Sequence, residues 1–433
     1  MTLLLALLPT ALAADEPCDG HAFDQRVSSE NFWVEWEDDT LTEAQAHALA
    51  QYAEEARTVF VDELGWPLTD RPIVYAVHPS PTEGFSGLAQ TSVCDDGTIV
   101  PNIELWVGEY TEERARHLAA HELGHAAQYG YMGAYLDSVT SWLWWMEGTA
   151  TWLATHVDGR VDFVADEVQL YLDNPHIGLH QGLTAHADAT RAEHLYGTAV
   201  IAHFLETHVG GPDTVRDIWA QGGPLSGERI ALPDVAKAAG LDFEAVWAEW
   251  LARATVADLD WGVELDRGAA ILELVDDLPA QGGVDDELGP EGYGFAVVEF
   301  SRSTAGRNRA LEVRFEGDPE VDWSVVLVRT NGSSPPGIVW SYVPLEVVDG
   351  VAEGWLSDFD GARAYLVASP LDLELVPHAF SWSADTIRDP GPMEATVVLA
   401  EPTGGCGCSA SGAGFAGLAV LPLLVVRRRS TRR

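Results

Sequence analysis

The chain has 433 residues, with 68 Asp and Glu against 24 Lys and Arg, a formal net charge of −44. So acidic a protein repels phosphate backbones and anionic lipid head groups, which excludes nucleic-acid binding. Hydrophobic residues make up 47% of the sequence, 16 of them Trp, so substantial cores can form; two or three domains fit the length, and a chain disordered throughout is excluded.

Residues 3–13, LLLALLPTALA, are a short apolar run ending in Ala11-Leu12-Ala13, the small-x-small pattern of a signal peptidase site, ahead of polar Ala14-Asp15-Glu16. Residues 1–13 are therefore read as a secretory signal peptide, although no Lys or Arg precedes the apolar run; a buried N-terminal strand is the alternative. Export means an oxidising space, which makes Cys18 and Cys94 the candidate disulfide, with two free thiols as the other reading. No CxxC or Cys/His finger spacing indicates a structural zinc finger.

Residues 29–36, SENFWVEW, read as a first strand, 42–68 as a long helix, and 102–110, NIELWVGEY, as the strand before a second helix. That helix runs from Thr111, a suitable N-cap, through Glu112 and Glu113 at the positive end of the dipole, to Gln128. It carries His121-Glu122-Leu123-Gly124-His125. Residues four apart share a helix face, so both imidazoles can offer a nitrogen to one ion, while Glu122 projects beside it, where a general base belongs. The pentapeptide alone also arises by chance. The next helical run, WWMEGTATWL (144–153), adds Glu147, a lone carboxylate among apolar residues that is costly to bury without a cation. As a third ligand it leaves one position for water; an exposed helix face or a partner Arg is the alternative.

Together HELGH and WWMEGTATW resemble the gluzincins, MA-clan zinc metallopeptidases whose third ligand lies in a W-x-x-E-G-x-A helix downstream of HExxH. The resemblance spans about residues 29–260. It implies one catalytic Zn2+ held by His121, His125 and Glu147, Glu122 as the base, and a peptide or protein substrate, for which a strand at the site's edge would be free to pair with an extended chain. In residues 192–211, AEHLYGTAVIAHFLETHVGG, Tyr196-Gly197 is similar to the Tyr-Gly of gluzincin relatives whose hydroxyl steadies the oxyanion. A core role for Tyr196 is equally open, and His194 is the other candidate donor. His117 is read as a supporting or surface residue. His156, His176, His180 and His186 surround a polar insertion at the cleft rim, too irregularly spaced for a second metal site.

Residues 212–221 and 234–259 have helical periodicity and complete this part of the chain near Trp261. From Ala269 the texture becomes short β-rich runs (293–300, 309–317, 323–330, 337–348, 362–369 and 394–401) between Gly, Pro, Asn and Asp turns, the pattern of an antiparallel sandwich. Asp358 and Asp360 read as solvated turn acids rather than a Ca2+ site. At the C-terminus, CGCSASGAG, the apolar residues 415–426 and Arg427-Arg428-Arg429 follow in order. They resemble the MYXO-CTERM sorting tail of myxobacterial surface proteins, with Cys406 or Cys408 at the signature position. That resemblance implies export, a transient hold in the inner membrane through the C-terminal segment, and processing by a sorting protease to the cell surface; the whole chain looks closest to secreted metalloproteases of myxobacteria with this tail.

The expected fold class is α+β: a signal peptide (1–13), a mainly helical zincin-like peptidase domain with a small N-terminal sheet (14–265), an antiparallel β-sandwich (266–400), and a linker, Cys motif, transmembrane segment and Arg cluster (401–433). Two other functions stay open, a catalytically silent zinc-binding surface or adhesion module and a non-peptidase zinc hydrolase.

Overall fold

Five strands form the N-terminal sheet: β1 (Gln25–Ser28), β2 (Phe32–Trp36), β3 (Ile73–Pro79), β4 (Phe85–Val93) and β5 (Ile99–Val107), in the order β1-β2-β3-β5-β4. β2, β3 and β5 are parallel, and antiparallel β1 and β4 close the two edges. A parallel pair needs a crossover. For β2 and β3 it is α1 (Glu43–Arg57), prolonged by a π-helical turn, Thr58–Glu63. Thr42 and Gln45 start α1 with a reciprocal capping box, and Ala46, Leu49, Ala50, Ala53 and Ala56 form its buried stripe.

This computed structural model describes residues 23–80, 85–94, 98–132, 143–159, 164–179, 188–222, 236–237, 239–261, 265, 268–285, 287–301, 309–330, 339–359, 363–393 and 396–399. The expected signal peptide, Cys18, the sorting cysteines Cys406 and Cys408, the transmembrane segment and the Arg cluster lie outside them. No described helix is long and apolar enough to cross a membrane.

The helix α2 (Glu112–Met132) begins as the sequence suggests, with the Arg114 N–H donating to Thr111 Oγ1 at 3.3 Å. Apart from Leu123, its buried apolar side chains are all alanine (Ala115, Ala119, Ala120, Ala126, Ala127). Small side chains let it lie close to the sheet, where the Tyr75 hydroxyl donates to the Ala119 carbonyl at 2.9 Å. Against α2 packs α3 (Leu143–Asp158). The approach is tight enough that a β-carbon on Gly124 would stand 3.2 Å from Ala150 Cα.

Next come α4 (Ala165–Asp173), α5 (Ala189–Gly197), α6 (Ala199–Phe204) with a π-helical end (Leu205–Gly210), α7 (Pro212–Gly222) and α8 (Phe243–Val256). The sequence predicts one continuous helix over 192–211. The chain instead breaks at Thr198, whose hydroxyl is drawn to the Trp144 and Leu195 carbonyls (2.8 and 2.5 Å), and it relaxes to π geometry before Gly211 at φ 84°.

Residues beyond 270 form two sheets. One has the order β15-β11-β10-β13-β8-β6, from β6 (Glu273–Val275), β8 (Ala296–Phe300), β10 (Trp323–Thr330), β11 (Val339–Leu345), β13 (Arg363–Pro370) and β15 (Thr396–Leu399). The other is β12-β9-β14-β7, from β7 (Ala280–Val284), β9 (Arg309–Gly317), β12 (Val351–Leu356) and β14 (Phe380–Arg388). All pairs are antiparallel except β6 with β8. The period of two explains the packing: Val325, Leu327, Leu366 and Val298 face the second sheet, while Val326, Val328, Val367 and Val297 join the apolar cluster of the helices. The larger sheet is thus buried on both faces, which accounts for its nearly continuous apolar runs. Trp247 of α8 donates to Ser369 Oγ at 3.2 Å, and Trp340 of β11 to Asp258 Oδ2 at 2.9 Å. The described residues belong to one compact unit built on two apolar cores.

Candidate metal centre

His121 and His125 lie one turn apart on α2 and present their Nε2 atoms to one oxygen of Glu147 on α3. The separations to Glu147 Oε2 are 3.2 Å from His121 and 3.4 Å from His125. One ligand atom from each residue falls within 4.8 Å of the others, and this is the one such His/Cys/Asp/Glu group among the described residues. Donors bonded to a tetrahedral Zn2+ at ~2.0–2.1 Å sit roughly 3.3 Å from one another. The spacing and the two-nitrogen, one-carboxylate donor set therefore suit a small borderline divalent ion such as Zn2+.

Each imidazole is also held from behind. His125 Nδ1 lies 2.9 Å from Gln128 Oε1, and His121 Nδ1 lies 3.3 Å from Thr151 Oγ1. Hydrogen bonding at Nδ1 leaves the Nε2 lone pair for a metal, the usual arrangement of ligating histidines. Burial pushes the Glu147 carboxyl up, but the His125 imidazole and hydrogen bonds from both histidines outweigh it and hold it well below the usual carboxylate range. Burial takes His121 down to about 4; at His125 burial acts the same way and is the largest single influence, but the Glu147 charge, hydrogen bonds to Glu147 and Gln128 and the Glu122 charge together outweigh it and lift the imidazole to about 9. A divalent ion at this cluster would compete with the His125 proton.

Glu122 stands next to these ligands without joining them. Burial raises its carboxyl to about 7, against the His125 charge and a hydrogen bond from the Ala89 N–H. Its Oε2 is buried and has no hydrogen-bond partner among the described residues, an orphan acceptor beside the donor cluster. The edge strand β4 covers it: a β-carbon on Gly87 would overlap Glu122 Oε1 and lie 2.5 Å from its Cδ.

The sequence leaves the sheet edge free for an extended peptide, and the structure narrows this expectation. Ala89 gives its N–H to Glu122 and its carbonyl to the Tyr129 hydroxyl (2.7 Å), so α2 itself satisfies the strand at that residue. In an antiparallel strand outward-facing backbone groups recur every second residue, which moves any pairing to the Gly87 or Thr91 side.

Tyr196 of α5 comes to the site, with its ring centroid 5.9 Å from that of His121. The Glu147 charge, then burial, push its phenol well above the ordinary range, so it keeps the proton with which it can donate a hydrogen bond. A close helix contact delivers it. A side chain at Gly148, next to Glu147, would strike Thr198 Oγ1, and one at Gly197 would strike the Glu167 carbonyl. His194, the other candidate donor, is fully buried against Tyr171 with ring centroids 4.7 Å apart and faces away from the centre.

The remaining candidates fall elsewhere. His117 pairs with Asp158 at 2.8 Å, behind His121. His156 binds Glu206 at 3.3 Å, and His176 lies by Arg191 and Glu291, while His180, His186 and Asp360 are outside the described residues. Asp358 is an exposed turn residue whose N–H donates to Asp389. Cys94 is disulfide-bonded. Sequence reasoning passed over Gln128, Thr149, Thr151, Tyr129 and Gly87. For Gln128 a signal existed, as the one polar residue that follows His125 on the histidine face in His-Ala-Ala-Gln.

No protein-family model matches the chain, and a search of curated proteins finds no match.

Proposed function

We propose that this protein is a zinc-dependent metallopeptidase of the gluzincin kind. The observation that carries the reading is the approach of His121, His125 and Glu147 to one point, with the unpartnered Glu122 oxygen beside it. Bound there, Zn2+ supplies the Lewis acidity that brings the pKa of a water toward ~7 and polarises a peptide carbonyl. Glu122, whose affinity for a proton is raised into the neutral range, takes the proton of the attacking water and returns it to the departing amine. Tyr196 donates a hydrogen bond to the developing oxyanion. The outward edge of β4 beside Gly87 orients an extended substrate.

The domain division at 265/266, export, surface sorting and a transient membrane stage belong to the same proposal and rest on the sequence. Zinc content and casein hydrolysis, measured for the wild type and Glu122→Gln, test it. Zinc retained in both with hydrolysis lost only in the variant supports the peptidase. Zinc bound but neither protein active favours the silent module, and activity confined to non-peptide substrates favours another zinc hydrolase.

A further inference from the structure

Gln128 follows His125 by three residues and is completely buried. Its contacts leave one assignment of protons. The Met146 carbonyl can only accept, so Gln128 Nε2, 2.9 Å away, donates to it. The same amide nitrogen donates to Thr149 Oγ1 at 2.9 Å, and the Trp219 indole N–H, which can only donate, reaches that oxygen at 3.1 Å. The single Thr149 hydroxyl proton goes to the Trp145 carbonyl at 2.6 Å. With both amide protons committed, Gln128 Oε1 must face His125 Nδ1 as an acceptor, and Nδ1 must carry the proton. The lone pair of His125 is left on Nε2, the atom 3.4 Å from Glu147.

We infer that Gln128 is a positioning residue that commits His125 to bind the ion through Nε2, by a relay anchored on α3 and α7. The inference rests on the metal-centre reading above. The relay joins the helix bearing two ligands to the helix bearing the third: Gln128 grips the backbone at Met146, immediately before Glu147, and Thr149, two residues after it. Residues that orient metal ligands in this way contribute about 10–100-fold to metal affinity.

The test uses the full chain, Zn2+ with a competing chromophoric chelator, and the variants Gln128→Met, which keeps the length but removes the acceptor, and Gln128→Glu, which keeps an acceptor at Nδ1. Zinc affinity is expected to fall about 10–100-fold in Gln128→Met and to stay within about tenfold of wild type in Gln128→Glu. Ring 1H–15N spectra of the zinc-loaded wild type are expected to show a slowly exchanging His125 Nδ1–H, a readout that stands even if Gln128→Met does not fold. Wild-type zinc affinity in a folded Gln128→Met, or a His125 proton on Nε2, overturns the inference and leaves the metal centre intact. A wild type that binds no zinc overturns the metal-centre reading and this inference with it.

Discussion

Gly87 is the position where a single added carbon should separate the metal site from its base. Nothing in its backbone forbids a side chain, since its φ lies outside the positive region. Gly→Ala at such a position stabilises by about 0.4–1 kcal/mol through the unfolded state. The new methyl, however, would stand 2.5 Å from Glu122 Cδ and 2.6 Å from Cγ. Ordinary contact needs roughly 3.5–4.0 Å, so the carboxylate must retreat by about 1 Å, away from the Ala89 N–H that anchors it. A general base works only within hydrogen-bond reach of its proton, and a displacement of ~1 Å costs on the order of 100-fold in rate. Gly87→Ala is thus expected to keep its zinc, to melt within a few degrees of wild type, and to lose about two orders of magnitude in kcat for a chromogenic peptide. Undiminished turnover, or loss of zinc alongside activity, would refute the placement of Glu122 under β4.

Two further outcomes concern stability. His194 is fully buried, and burial lowers it to about 3, so the unfolded chain, with its histidine near 6.5, binds the proton first; stability present above about pH 6.5 is lost as pH falls toward 3. Replacing it by Phe should flatten that acid limb in urea melts at pH 7 and pH 5, and an unchanged limb would place the acid sensitivity elsewhere. Arg191 holds both oxygens of buried Glu291 (2.5 and 2.9 Å), tying α5 to the loop before β8. Arg191→Met removes the counter-charge of that carboxylate, which keeps the Gly178 N–H at 3.0 Å, and because the arginine is partly exposed the expected loss is about 2–3 kcal/mol, at the low end for a broken buried pair. Double replacement with Glu291→Gln should recover part of it.

The cluster of His121, His125 and Glu147 was legible because its signals are local. His121 and His125 share a face by helical spacing alone, and Glu147 stands out as a carboxylate with no reason to be buried in an apolar run. Which of Tyr196 and His194 comes nearer to His121 is not local: both lie on α5, and where α5 and α6 meet α3, with Thr198 against Gly148, the Tyr196 ring stands by His121 while His194 packs on Tyr171. The same contact breaks the helix predicted over 192–211. β4 escaped notice since the apolar residues of FSGLAQTSV are scattered among small polar ones and form no alternating or continuous run, and its importance comes from being an edge beside α2. β14 was passed over for a similar reason, because half of FSWSADTIR faces solvent. β10 and β13 announced themselves, being buried on both faces. Gln128 was readable as a polar residue in an alanine stretch, though its partners Met146, Thr149 and Trp219 come from helices brought together only by folding.

The account turns on whether the two helices share one ion, and metal stoichiometry of purified wild type beside Glu147→Ala tests that most directly. One zinc per chain in the wild type is expected. The variant should lose at least 100-fold in zinc affinity, as one of three protein ligands is gone. A wild type free of bound metal after incubation with Zn2+, or a folded Glu147→Ala that binds it as tightly, would contradict the centre described here.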